Sequence, residues 1–308
     1  MWQDVFAAEI APGSALAIGN FDGVHMGHRA VVAALRAAAE ALGTRAGVLV
    51  PDPHPLLLLG RSIQLLTPLQ ERGRLLRAAG AQDLWRLPFA RDVAALAPEE
   101  FVRSVILERI RPRRVVVGFN FSYGADARGN PEALRLQLEA AGIALEVVAP
   151  QKLMGQAVSS SRIRAQLLAG DVEGARVLLG RPYSLQGEVR PGHGRGRTLG
   201  FPTANVHCGP ELLSPGPGVY AVRLVARGET WPGVCNLGPR PTFGEEEPLL
   251  EVHLLDFSGD LYGERVEVAF RSRLRGQTRF AGIAALERQI SEDCLRARDL
   301  LTADPCEA

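Results

Sequence analysis

A change of period near Gly180 constrains this 308-residue chain more than any other feature. Before it, short apolar runs alternate with helical segments of ten or more residues. Such alternation predicts a parallel sheet with helical crossovers. After it, apolar and polar residues alternate with period two between Gly, Pro, Asp and Asn turns, which predicts an antiparallel meander or closed barrel of about six strands. The expected fold class is therefore α/β first, a parallel sheet with helical crossovers, then an antiparallel β-barrel with a terminal helix. Arg181-Pro182 breaks the chain after a helix over 171–179, so the expected domains are 1–182 and 183–308.

In the first half, strands are predicted at 15–18 (ALAI), 45–50 (RAGVLV), 83–89 (DLWRLPF), 113–119 (RRVVVGF) and 145–150 (LEVVAP). An Ala-rich helix runs from about His28 to Leu42. A second begins at 67–71 (TPLQE), with Thr67 as N-cap, Pro68 in the first helical position and Gln70 at the capping-box position. An amphipathic helix covers 98–110, and Asn130-Pro131 starts another. In the second half, strands are predicted at 219–225, 251–257 and 265–271. Ile283, Leu286, Ile290 and Leu295 recur at helical spacing in a closing helix.

Ligands of a parallel α/β sheet sit at the carboxyl ends of its strands. Three unusual loops fall there: IGNFDGVHMGH at 18–28, DPHP at 52–55 and GFNFSYG at 118–124. The first sets His25 and His28 in a glycine-rich turn that opens a helix. Its Gly19, Phe21, Asp22, Gly23 and Gly27 let backbone approach a ligand closely. Imidazole near neutrality can donate an N–H, or a proton, to a phosphate oxygen. The pair could hold a triphosphate attacked at its α-phosphorus, a reaction driven by positioning and charge stabilisation. A His-x-x-His metal pair is the rival reading, and no cysteine pair supports it. VSSSRIR at 158–164 puts Ser160 and Arg162 at a helix start, where free N–H groups and the dipole favour an anion. Asn120 reads as a phosphate contact or a turn residue, and His54 as a ligand contact or part of a rigid loop.

The second half carries GHGRGRTLGFPTAN at 192–205. It is neither a dinucleotide fingerprint nor a P-loop. Its Gly194, Gly196 and Arg197 can wrap phosphates, or the segment is a sharp barrel corner. Thr203 and Asn205 lie two apart on an extended segment and share a face. Their neutral oxygens suit Mg²⁺ that a nucleotide already carries. Glu251 is either an outward, solvated residue or the base for an alcohol attacking a γ-phosphorus. By alternation His253 shares its side and Asp256 does not.

Composition excludes several classes. A net charge of +1 gives no reason to expect binding to nucleic acid or a membrane surface. Nearly all the basic residues are arginine, with Lys152 the one lysine. The four cysteines, at 208, 235, 294 and 306, contain no C-x-x-C pair, so neither a zinc ribbon nor a dithiol site is indicated. The N-terminus lacks the basic region of a signal peptide, and no apolar run is long enough to span a bilayer. A reducing cytoplasm is the expected location.

Taken in order, these motifs resemble the prokaryotic bifunctional riboflavin kinase/FAD synthetase family over residues 14–295. IGNFDGVHMGH, DPHP, VGFNFSYG and VSSSRIR resemble its adenylyltransferase half. GRPYSLQGEV, GRTLGFPTAN, GVYAV, NLGPRPTFG, LEVHLLDFSGDLYGE and the closing helix resemble its kinase half. The resemblance implies that the second half makes FMN from riboflavin and ATP. The first half would then be a Rossmann-like nucleotidyltransferase that joins FMN and ATP into FAD and pyrophosphate. His25 and His28 fall on catalytic positions, and Asn120, Ser160 and Arg162 on nucleotide and phosphate contacts. Thr203 and Asn205 fall on the metal pair, Glu251 on the base, and Arg275 near the flavin. Pro51, Ser122 and Gln277 depart from the family pattern, where an aromatic, a basic residue and a glutamate are frequent. Partners are then the small-molecule substrates ATP, riboflavin and FMN, with neither nucleic acid nor membrane expected. Rival readings are another adenylyl acceptor, or a flavin-binding regulator without turnover.

Overall fold

The structure, a computed structural model, describes residues 1–60, 62–192, 196, 199–238 and 249–303. In the first half, β1 (Gln3–Asp4), β2 (Ala15–Ile18), β3 (Ala46–Asp52), β4 (Asp83–Pro88), β5 (Arg114–Gly118) and β6 (Ala144–Val148) form one parallel sheet in the order β1-β4-β3-β2-β5-β6. The chain adds β3 and β4 on one side of β2, then returns to place β5 and β6 on the other. The switch point therefore lies between β2 and β5.

Both faces of the sheet are covered, which is why its strands are continuous apolar runs. Leu16, Ile18, Leu49, Val115 and Val117 pack with Phe101, Val102, Ile106, Leu134 and Leu138 on one face. Ala15, Ala17, Val48, Val50 and Val116 pack with Val31, Val32 and Leu35 on the other. The helices that supply these contacts are α1 (Met26–Leu42), α2 (Leu69–Ala78), α3 and α4 (Pro131–Ala140). Helix α3 starts as an α-turn, Pro98–Phe101, and continues as a wider π-helical stretch, Val102–Ile110, where the periodicity predicts one regular helix. Asn130 caps α4 as expected, accepting from the Ala133 N–H at 2.9 Å.

The expected cap of α2 is corrected. Pro68, not Thr67, holds the N-cap position, with no side-chain capping bond. The Thr67 hydroxyl accepts instead from the Gly23 N–H at 3.1 Å, and its own N–H goes to Asp22. A long-range tie has displaced the local one.

In the second half, β9 (Tyr183–Arg190), β10 (Ala204–His207), β11 (Gly218–Ala226), β12 (Glu229–Leu237), β13 (Leu249–Leu254) and β14 (Arg265–Arg275) close into an antiparallel barrel, in the order β10-β13-β12-β11-β14-β9. Tyr183, Tyr220, Val222, Cys235, Leu250, Val252 and Phe270 are all but inaccessible and fill it. Alternate residues face outward. Val219, Ala221 and Val234 pack there against Ala297 and Leu301 of the closing helix, α7 (Ile283–Ala303).

Two helices precede the barrel, α5 (Ser160–Ala169) and α6 (Val172–Leu179). They are tied to it. Gly216 N–H donates to the Leu167 carbonyl at 2.8 Å, and the Glu173 carboxylate accepts from Ser272 Oγ and the Arg273 N–H. By contacts the chain accordingly divides into Met1–Ser160 and Ser161–Ala308, so both helices go with the barrel although the Arg181-Pro182 break follows them. Between the large elements lies a small hairpin, β7 (Lys152–Leu153) and β8 (Gln156–Ala157).

Candidate active sites

The histidine turn leaves the carboxyl end of β2, at the switch point. Its backbone is strained. Phe21, Gly23 and Val24 have φ of 50°, 86° and 40°, a region that a β-branched residue such as Val24 rarely enters. Asp22 holds it there. Its carboxylate, 1% exposed, accepts from the N–H groups of Leu66 and Thr67 at 3.1 Å and faces the Arg72 guanidinium at 3.4 Å. Arg72 in turn donates to the carbonyls of Asn20 and Thr67. Ser160 Oγ donates to the Asp22 carbonyl at 2.9 Å. The charge of Asp22 is thus met inside the protein, and its role here is to fold the turn. Asp22→Ala should strand Arg72 in the interior, which costs about 3–5 kcal/mol. Thermal unfolding should show that loss; an unchanged melting temperature contradicts the assignment.

His25 is the N-cap of α1. Its Nδ1 accepts from the His28 N–H at 3.3 Å, which leaves Nε2 to carry the proton of the neutral ring. The two imidazoles stack, with centroids 3.6 Å apart and planes 15° apart. Phe21 meets His28 edge-on at 5.3 Å. Burial first, then the neighbouring His25 and Arg72, push the His28 pKa well below its usual 6.5. His28 Nδ1 is buried without a hydrogen-bond partner. A neutral His28 imidazole in the first turn of a helix is a hydrogen-bond donor, not a standing charge.

The other predicted residues are placed as follows. Gly19 follows β2 and donates to the Leu49 carbonyl; Gly27 lies in the first turn of α1, where a Cβ would come within 3.1 Å of the His25 ring. Asn120 is exposed two residues beyond β5, across the switch point. His54 caps a short helix by accepting from the Leu56 N–H at 3.3 Å, at the end of β3. Arg162 stands half-buried in the first turn of α5.

The barrel carries a second cluster on its outer face. Cross-strand partners share a face, and the register reads Val219–Asn236–Glu251–Asn205–Arg190. Glu251 is therefore half-buried between two amides. Asn236 Nδ2 donates to Glu251 Oε2 at 3.0 Å. Asn205, 7% exposed, is covered by the segment that precedes β10, where Gly192 lies against its amide. His253 holds the same segment. Its Nδ1 lies 2.8 Å from the Pro202 carbonyl oxygen, and its ring meets Phe201 edge-on. Alternation thus placed His253 beside Glu251 correctly. Gly196 sits over Thr203: a Cβ there would come within 2.4 Å of the Phe201 carbonyl oxygen and 3.3 Å of Thr203 Oγ1, so only glycine permits this approach. Gly194 and Arg197 lie outside the described residues.

Arg275 pairs with Val219 at the edge of this row. It is clamped by Asp293 of α7 through Nε and Nη2, at 2.8–3.1 Å, and lies 5.6 Å from the Phe280 ring centroid. Cys235 lies beneath the row, its thiol pKa pushed well up by burial and by Cys208 and Glu251. Sequence reasoning missed Thr67 and Arg72 in the first site and Asn236 in the second. Asn236 stood in the NLGPRPTFG motif, and only the strand register reveals its partner.

The comparisons follow the same division. Residues 7–162 match the family model described as FAD synthetase, and residues 179–301 the one described as riboflavin kinase. The bifunctional riboflavin kinase/FMN adenylyltransferase of Bacillus subtilis (strain 168) is 38% identical over 288 residues, 91% of this chain and 90% of that protein. The protein of the same description from Escherichia coli (strain K12) is 37% identical over 292 residues, 93% and 92% of the two chains. The crystal structure of a macrolide-efflux protein from Streptococcus pneumoniae has a TM-score of 0.88 and 29% identity, covering 97% of this chain and 98% of that one. Among the described residues no helix is long and apolar enough to cross a membrane. Folds and sites together define a two-part transferase of flavin cofactors, a nucleotidyltransferase followed by a kinase. The chain belongs to the family of bifunctional riboflavin kinase/FMN adenylyltransferases.

Proposed function

We propose that each unit does its own phosphorus chemistry with the residues gathered in it. At the barrel, Glu251 takes the proton of a riboflavin hydroxyl as its oxygen attacks the γ-phosphorus of ATP, giving FMN and ADP. At the histidine turn, a phosphate oxygen of FMN attacks the α-phosphorus of a second ATP, giving FAD and pyrophosphate. The observation that carries this reading is the pairing of Glu251 with Asn205 in one cross-strand register, against a segment that also brings in Thr203. A carboxylate and two neutral side-chain oxygens in one place support phosphoryl transfer to an alcohol.

Thr203 and Asn205 fit Mg²⁺ that arrives with ATP. They offer neutral hard oxygens, and among the described residues no cluster of His, Cys, Asp or Glu forms a separate metal cage. Bound there, the ion would neutralise charge on the outer phosphates. In the first unit His25 and His28 donate to the phosphate oxygens, and Gly19, Gly23 and Gly27 let the chain approach them. Asn120 and Ser160 serve as further nucleotide contacts; Arg162, in the first turn of α5, is a phosphate contact, and Gly194, Gly196 and Arg197 are phosphate contacts of the kinase. Arg275 orders the flavin side of the barrel through its clamp on α7. Free Cys208, Cys235 and Cys294 suit a reducing cytoplasm.

Isotope labels test the division. With riboflavin, Mg²⁺ and ATP labelled at the γ-phosphorus, both FMN and FAD become labelled. With ATP labelled at the α-phosphorus, FAD alone does. Labelled FMN in the second experiment, or FAD unlabelled by the α-phosphorus, overturns the assignment.

A further inference from the structure

Glu251 is held by a chain of two side-chain amides whose direction is set from the main chain. The Gln277 Nε2 donates to the Leu237 carbonyl at 2.6 Å and to Asn236 Oδ1 at 2.8 Å. Asn236 then donates Nδ2–H to Glu251 Oε2 at 3.0 Å. A backbone carbonyl can only accept, so the Gln277 atom facing Leu237 must be nitrogen. Its second N–H requires an oxygen on Asn236, and the Asn236 nitrogen is thereby turned onto Glu251. A carboxylate also only accepts, so both ends of the chain demand the same direction. Nothing else within this chain of bonds is reversible once Leu237 is fixed in β12.

We propose that Gln277 is a positioning residue for riboflavin phosphorylation: it fixes the orientation of the Asn236 amide, which engages one oxygen of Glu251 and leaves the other to take the substrate proton. The inference rests on Glu251 being the base. An ionised glutamate at 277 could donate neither to Leu237 nor to Asn236, so it would remove one of the two ends that set the direction of this chain. Such a glutamate would compete with Glu251 for the Asn236 N–H and draw that amide off the base. Among the described residues, the charged and titratable groups around the row are Arg190 in register on β9, His253 on β13, Arg275 on β14 with its partner Asp293 on α7, and the neutral Cys235 thiol beneath.

The test uses full-length protein and steady-state riboflavin phosphorylation with ATP and Mg²⁺. Misplacing a reacting group by a fraction of an ångström to an ångström costs up to about a hundredfold, so Gln277→Glu is expected to lower kcat roughly tenfold, with the riboflavin KM held within about twofold. Gln277→Ala, which removes the amide without adding an acceptor, is expected to lower kcat by only about threefold. FMN adenylylation by both variants should equal that of the parent. In an Asn236→Ala background Gln277→Glu should have no further effect, because its action passes through that amide. The same tenfold loss with and without Asn236 overturns the proposal, as does a raised KM at unchanged kcat, or alanine as damaging as glutamate. Full phosphorylation by Glu251→Gln would instead remove the base on which the inference rests, whatever the Gln277 variants do.

Discussion

Glu251→Gln reduces riboflavin phosphorylation by at least about a hundredfold, the scale of a general base, while adenylylation of supplied FMN continues at the parental rate. Glutamine is isosteric and can offer its carbonyl oxygen to Asn236 Nδ2, so the Asn205–Glu251–Asn236 register survives the change. What it lacks is proton affinity. Residual turnover reports positioning and ATP-borne charge neutralisation, which carry much of phosphoryl transfer by themselves. The measurement is a pair of assays on one preparation, riboflavin to FMN and FMN to FAD, with an unfolding curve alongside. Retained kcat in the first assay makes Glu251 a solvated strand residue, the alternative its half-buried position left open in the sequence. Loss of both activities from folded protein makes the two sites interdependent.

Local pattern carried the fold well where burial is two-sided. Val115, Val116 and Val117 are all inaccessible, and their continuous β-branched run announced a central strand. The histidine turn was legible because a buried strand, a glycine-rich loop and a helix follow in order, and the sheet order then puts it at the switch point. What sequence could not show is long-range partnership. Thr67 looks like a helix cap from its neighbours, yet Gly23 and Asp22, 44 and 45 residues earlier, take its hydrogen bonds. Asn236 and Glu251 are 15 residues apart with β-register their only link. Helix propensity found α6 but not the body it packs on, which Glu173 and its bonds to Ser272 and Arg273 decide. Arg275 was placed near the flavin by motif, and its bidentate bond to Asp293 shows a structural load that no motif encodes.

His28→Ala is the converse experiment, removing FMN adenylylation and sparing phosphorylation. Loss of one preorganised donor to a developing oxyanion costs about a hundred- to a thousandfold, and that is the expected fall in the rate of FAD formation. The argument is electrostatic. Burial, His25 and Arg72 hold the His28 ring neutral in the unliganded site. Polyphosphate brings negative charge against that ring and offsets the positive neighbours, so the donor strengthens as charge builds at the α-phosphorus; an interaction that grows toward the transition state raises kcat. His28→Gln keeps a neutral N–H donor and should retain more activity than alanine. Stability gives an independent readout. The unfolded chain protonates this histidine near 6.5, whereas the native ring resists protonation to well below that value. Between the two values the unfolded state binds the extra proton, so stability is whole above about pH 6.5 and declines as pH falls through the window. His28→Gln should flatten that decline in melting temperature. An undiminished decline in the glutamine variant, together with full adenylylation by the alanine variant, would move the chemistry of the first unit away from this ring.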